Sequence, residues 1–97
     1  MAYEIIYSEN FVSDLKLVLD YLNYNWSEKV ALNFLDQIEK SLNQITNMPE
    51  SGIKTKTINI FRVLVTKHNS LFYRISNNRI ELLNLFDTRQ NPLKSPF

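Results

Sequence analysis

Residues 61–92 read FRVLVTKHNSLFYRISNNRIELLNLFDTRQNP, and this stretch decides the fold. Three β-rich runs are separated by two turn signals, Lys67-His68-Asn69 and Asn77-Asn78. Asparagine tolerates the positive φ that a tight hairpin loop requires, so Asn77-Asn78 predicts a hairpin and fixes a register. Counting outward pairs Ser76 with Arg79, Ile75 with Ile80, Arg74 with Glu81, Tyr73 with Leu82 and Phe72 with Leu83. With Lys67-His68-Asn69 as the preceding turn, Val65 pairs with Leu71, Leu64 with Phe72, Val63 with Tyr73 and Arg62 with Arg74. Side chains alternate across a strand, so Phe61, Val63, Val65, Leu71, Tyr73, Ile75, Ile80 and Leu82 share one face, while Arg62, Arg74 and Glu81 share the other. The first face is a core, and the second can meet a charged partner.

Upstream, the apolar spacing changes from strand to helix. A short strand over residues 3–7 precedes Phe11, Leu15, Val18, Leu22 and Trp26, which recur at steps of three or four with Ser8 or Asn10 available as N-cap. Ser27 caps a second helix whose stripe is Val30, Ala31, Phe34, Leu35, Ile38, Leu42 and Ile45. Residues 47–52, Asn-Met-Pro-Glu-Ser-Gly, stop it, because proline biases the preceding residue away from helix. The short link at 25–27 folds the two helices into an antiparallel hairpin, with Trp26 expected as a packing anchor. These elements predict an α+β two-layer sandwich of order β-α-α-β-β-β, an antiparallel sheet packed on a helical hairpin. The expected organisation is a single domain over 1–97, with 91–97 a surface tail.

A chain of 97 residues with 44% hydrophobic content buries one modest core, so any site sits on a surface. The absence of cysteine excludes a disulfide framework, a thiolate zinc site and a thiol nucleophile. Residues 1–7 lack the basic and apolar regions of a secretory signal, and no apolar run approaches membrane-spanning length, so the expected location is the cytoplasm, away from membrane. His68 is the single histidine and Gly52 the single glycine, which argues against metal catalysis and against a phosphate-binding glycine loop. No cofactor is expected.

Charge is divided unevenly along the chain. Residues 1–52 carry three lysines against eight acids, 3 − 8 = −5, whereas residues 53–97 carry eight basic residues against Glu81 and Asp87, 8 − 2 = +6. Such asymmetry suggests an acidic or nucleic-acid partner for the C-terminal half, or two halves that attract each other within the fold. Among the arginines, Arg74 faces Glu81 and reads as structural, and Arg79 beside the turn reads as solvated. Arg62, with no acid opposite, and Arg89, just past the last strand, are the better candidates for target binding, with Lys67 adding steering charge.

The order of elements resembles the RelE/ParE superfamily of toxins from type II toxin-antitoxin modules. The resemblance rests on Trp26-Ser27 at the helical bend, Met48-Pro49-Glu50-Ser51-Gly52, Phe61-Arg62-Val63-Leu64-Val65, His68-Asn69-Ser70-Leu71-Phe72-Tyr73-Arg74-Ile75 and the ending at Asp87–Pro92. It implies a growth-inhibiting, plasmid-stabilising toxin neutralised by a cognate antitoxin protein. RelE-like members are ribosome-dependent ribonucleases that use basic residues on the open sheet face to stabilise a pentavalent phosphate, a role for positioned charge. In that branch an arginine opens the strand that here begins Asn69-Ser70-Leu71-Phe72-Tyr73, and Ser70 stands in its place. Phe72-Tyr73-Arg74 is more similar to the ParE branch, whose members inhibit DNA gyrase by binding. The resemblance therefore implies a ParE-like inhibitor of a target such as DNA gyrase. The alternatives are an mRNA endonuclease acting with the ribosome, and an inactive antitoxin-binding module.

Overall fold

The computed structural model describes residues 3–89 and 96–97. Strand β1 (Glu4–Tyr7) leads into helices α1 (Glu9–Asn25) and α2 (Glu28–Asn47), a 3-10 turn at Pro49–Ser51, and strands β2 (Ile53–Lys54), β3 (Ile60–Thr66), β4 (Asn69–Ser76) and β5 (Arg79–Asp87). The strands form one sheet in the order β1-β5-β4-β3-β2, and the helical hairpin covers one of its faces. The α+β two-layer fold and its element order thus match the sequence reading.

Both helices begin where the capping residues dictate. The Ser8 hydroxyl accepts from the Phe11 amide at 3.1 Å, and the Ser27 hydroxyl accepts from Val30 at 3.2 Å. Asn77 adopts φ 55° at the β4–β5 turn, the left-handed conformation that asparagine tolerates. From that turn, Ser76 pairs Arg79, Ile75 pairs Ile80, Arg74 pairs Glu81 and Tyr73 pairs Leu82, as counted from the sequence.

Four details depart from the sequence reading, each for a local reason. Phe72 pairs Asn84 rather than Leu83, because a bulge inserts Leu83 as an extra residue. The bulge resets the alternation and lets Leu82 and Leu85 both point into the core. The β3–β4 turn is Lys67-His68 alone: the Thr66 hydroxyl accepts from the His68 amide and the Asn69 side chain, and Asn69 joins β4. The shorter turn moves the pairing by one residue and a second bulge at Val65, between Leu64 and Thr66, moves it by another, so Phe61 pairs Tyr73 and Arg62 pairs Phe72 instead of Arg74. A shift of two conserves facing, which is why the core list survives. The sheet is mixed, since β1 runs parallel to β5, and it contains the two-residue β2, too short to leave a pattern in the sequence. Trp26 is 69% exposed at the hairpin tip and anchors no core.

The core joins Phe11, Phe34, Ile38 and Ile45 of the helices to Phe61, Val63, Leu71, Tyr73, Ile80 and Leu82 of the sheet. Tyr73 is fully buried and stacks on Phe61 with ring centroids 5.7 Å apart. Its hydroxyl donates to the Pro49 carbonyl at 2.7 Å and accepts from the Gly52 amide at 3.2 Å. One phenol therefore holds the turn after α2 against the middle of the sheet. Gly52 is extended (φ −71°, ψ 168°), a conformation any residue adopts, so space is what demands glycine there. A Cβ would collide with the Tyr73 hydroxyl and lie 3.0 Å from the Arg62 carbonyl.

Three outcomes test this clip. Tyr73→Phe strands a part-buried amide and a part-buried carbonyl and should cost about 1–3 kcal/mol in chemical denaturation, against about 3–5 kcal/mol for Tyr73→Ala. Gly52→Ala should cost about 1–3 kcal/mol by overpacking, and combining it with Tyr73→Phe should cost less than the sum, because removing the hydroxyl removes the collision. Burial raises the Tyr73 pKa above the ordinary tyrosine value, partly opposed by the Gly52 hydrogen bond. The unfolded chain then loses this proton first. Stability present below that ordinary value should be lost as pH rises through the raised one, and Tyr73→Phe should lack this part of the alkaline dependence.

Candidate functional site

At one end of the sheet the β3–β4 turn and the end of β5 are drawn together. The Thr88 amide donates to the His68 carbonyl at 2.7 Å, and Asn69 pairs Asp87. This places Lys67, His68, Asp87 and Arg89 in one polar cluster. Arg89 donates through Nε and Nη2 to the two Asp87 carboxylate oxygens, at 3.1 and 2.8 Å. Hydrogen bonding from the Arg89 side chain is the main cause that holds the Asp87 carboxyl below its usual range, helped by the Arg89 backbone amide and charge and opposed by desolvation. Arg89 is accordingly not the uncommitted cation that its sequence position suggested.

Beside this cluster runs a groove of about 610 Å³ between the helices and the sheet end. Its walls are Leu17, Tyr21 and Leu22 of α1 and Val30 and Phe34 of α2, and its polar end is Thr66, Asn69, Asp87 and Arg89. Leu17 and Tyr21 are exposed, as they lie one turn apart on the flank of α1 that turns away from the core. The groove follows from a helix stripe wider than the core needs. Val30, assigned to the core stripe by spacing, lines the groove instead.

The outer sheet face, away from the helices, carries Arg62, Arg74 and Glu81 as the parity required. Arg74 donates to Glu81 at 2.9 Å, the cross-strand pair read from the sequence. Arg62 has no ion pair among the described residues. It lies five residues up β3 from Lys67, roughly 17 Å of strand, so the structure separates it from the Lys67 and Arg89 cluster. The same face also carries Ile60, Ser70 and Phe72, all buried although no helix covers them. The Phe72 ring meets Phe86 at 6.4 Å and Phe97 at 5.3 Å. The division into one apolar and one basic face therefore fails on its second half: the outer face has an apolar floor with charged margins. Alternation around Phe72 already carried that signal. Of the tail expected over 91–97, residues 91–95 lie outside the described residues.

Among the described residues no group of acidic or histidine side chains could hold a metal ion, and no helix is long and apolar enough to cross a membrane. No curated protein sequence matches this chain. Its fold is similar to that of the chromosomal ParDE toxin-antitoxin system of P. aeruginosa, at a TM-score of 0.74 and 12% identity, over 89% of this chain and 96% of that one. A YoeB/ParE toxin from Agrobacterium tumefaciens aligns at a TM-score of 0.63 and 12% identity, over 87% and 96% of the two chains. A chain of the E. coli DinJ–YafQ toxin-antitoxin complex aligns at 0.64 and 10% identity, over 92% and 96%. The family model of the ParE toxin of the type II toxin-antitoxin system parDE matches residues 5–92, nearly the whole folded chain, and the protein belongs to that toxin family.

Proposed function

We propose that this toxin arrests growth in the cytoplasm by binding an essential target protein such as DNA gyrase, and that a cognate antitoxin neutralises it. The observation that carries the reading is the state of the outer sheet face. Phosphoryl chemistry on RNA needs uncommitted positive charge aimed at the reacting phosphate. Here Ser70 stands where the RNA-cleaving branch has arginine, Phe72 beside it is an apolar floor, and Arg74 is neutralised by Glu81. Arg89 is likewise neutralised by Asp87. A surface of apolar side chains edged by single charges suits recognition of a protein.

The antitoxin reading rests on the groove. An amphipathic segment laying aliphatic side chains between Tyr21 and Val30 would direct its polar side toward Thr66, Asn69 and the Asp87–Arg89 pair at the polar end. Toxin-antitoxin complexes among proteins of this fold support such a partner. A second reading, mRNA cleavage on the ribosome, draws support from Arg62 and Lys67, which lack ion pairs among the described residues.

Two experiments separate these readings. Purified toxin should inhibit gyrase supercoiling and leave mRNA on programmed ribosomes uncut, and Arg62→Ala should weaken target affinity by about 2–5 kcal/mol where the contact is desolvated. Robust site-specific cleavage, abolished by Arg62→Ala while ribosome binding survives, would instead establish the nuclease. Val30→Glu, on the groove wall, should weaken binding of the adjacent gene's product about tenfold or more while unfolding stays cooperative, because it buries a charge without a partner.

A further inference from the structure

We propose that the outer sheet face is a second docking surface, which takes an apolar side chain next to a carboxylate from the target protein, and that Phe97 holds its place in the free toxin. The proposal rests on the reading that the toxin acts by binding a protein. Cross-strand rows define the surface: Ile53, Arg62, Phe72 and Asn84 in one, and Leu64, Ser70 and Phe86 in the next. At its centre the Phe72 ring is buried, with Phe97 over it at 5.3 Å and Phe86 beside it at 6.4 Å. At its rim Ile53 and Leu64 are 51% and 52% exposed, an apolar border that nothing among the described residues covers.

Two polar features within this apolar setting point to a ligand. The Ser70 hydroxyl is fully buried and has no hydrogen-bond partner among the described residues, a costly state that an incoming acceptor or donor would relieve. Arg62, half-buried between Ile53 and Phe72, is the cation of this face without an ion pair among the described residues. Phe97 shows which chemistry the floor accepts, an aromatic ring. It is itself only half-buried and follows the exposed Pro96, so its seat is partial and open to competition. The face lies across the sheet from the helical groove, which leaves the antitoxin and the target on separate surfaces.

Phe97→Ala vacates the floor, and the probe is 8-anilinonaphthalene-1-sulfonate, apolar rings bearing one anion. The variant should unfold cooperatively and bind the dye with several-fold higher fluorescence than the unaltered toxin, and Phe97→Trp should restore the low signal. Adding Arg62→Ala to Phe97→Ala should weaken dye affinity roughly two- to fivefold, the range of one exposed charge pair. Val30→Glu should lower dye bound in the groove without removing the Phe97→Ala increment. Cells should arrest at lower induction of Phe97→Ala than of the unaltered toxin. A folded Phe97→Ala chain with unchanged dye binding overturns the proposal, as does an increment that Val30→Glu abolishes. Increased dye binding with unchanged or weaker growth arrest also overturns it, because the target then does not use this face. Gyrase inhibition fails separately: its absence sinks that target while leaving the dye and growth results to judge the face.

Discussion

The Tyr73 hydroxyl is the contact on which the arrangement of the layers depends. It sits on the central strand β4, fully buried, and bonds both ends of the turn that connects α2 to the sheet. A buried phenol with donor and acceptor both satisfied stabilises only one geometry, so the exit of α2 is set relative to β4 within hydrogen-bonding tolerance. That exit determines where β2 starts and how it meets β3 at Ile53 and Arg62. The opposite end of the sheet is held differently. There Ser8 and Asp14 of the α1 segment bond the open side of β5, with Ser8 Oγ donating to the Leu83 carbonyl and Asp14 accepting from the Leu85 amide. These contacts fall at the bulge, where the β1 ladder has ended.

Most of the core was legible because parity tolerates error. The shorter β3–β4 turn and the bulge at Val65 together shift the expected pairing of β3 by two residues, an even number that still leaves Phe61, Val63 and Tyr73 inside. The bulge at Leu83 was not read, although Leu82 and Leu85 as an out-of-phase apolar pair hinted at it. Trp26 was misread because spacing alone cannot tell the last turn of a helix that is packed from one that projects past its partner.

The site was less legible than the fold. Ion pairs between residues two apart, such as Asp87 and Arg89, depend on backbone direction after a strand ends, which the pattern does not encode. The apolar floor around Phe72 depends on Phe97, distant in sequence and brought near only by the folded chain. Arg62 and Lys67, grouped together as target-binding candidates by the sequence, belong to different surfaces. The outcome is a small toxin domain with two faces of different chemistry: a groove with a polar end at Thr66, Asn69 and the Asp87–Arg89 pair, and an apolar floor with charged margins. Its helical layer is fixed to the sheet by a single tyrosine clip at one end.

The most direct measurement of that clip is native-state amide hydrogen exchange resolved by residue. If the Tyr73 hydroxyl binds the turn as described, the Gly52 amide should be protected to the same free energy as the Leu71 and Leu82 amides of the central strands, opening only with global unfolding. Exchange of Gly52 at the rate of a free loop, while Leu71 and Leu82 stay protected, would contradict the account.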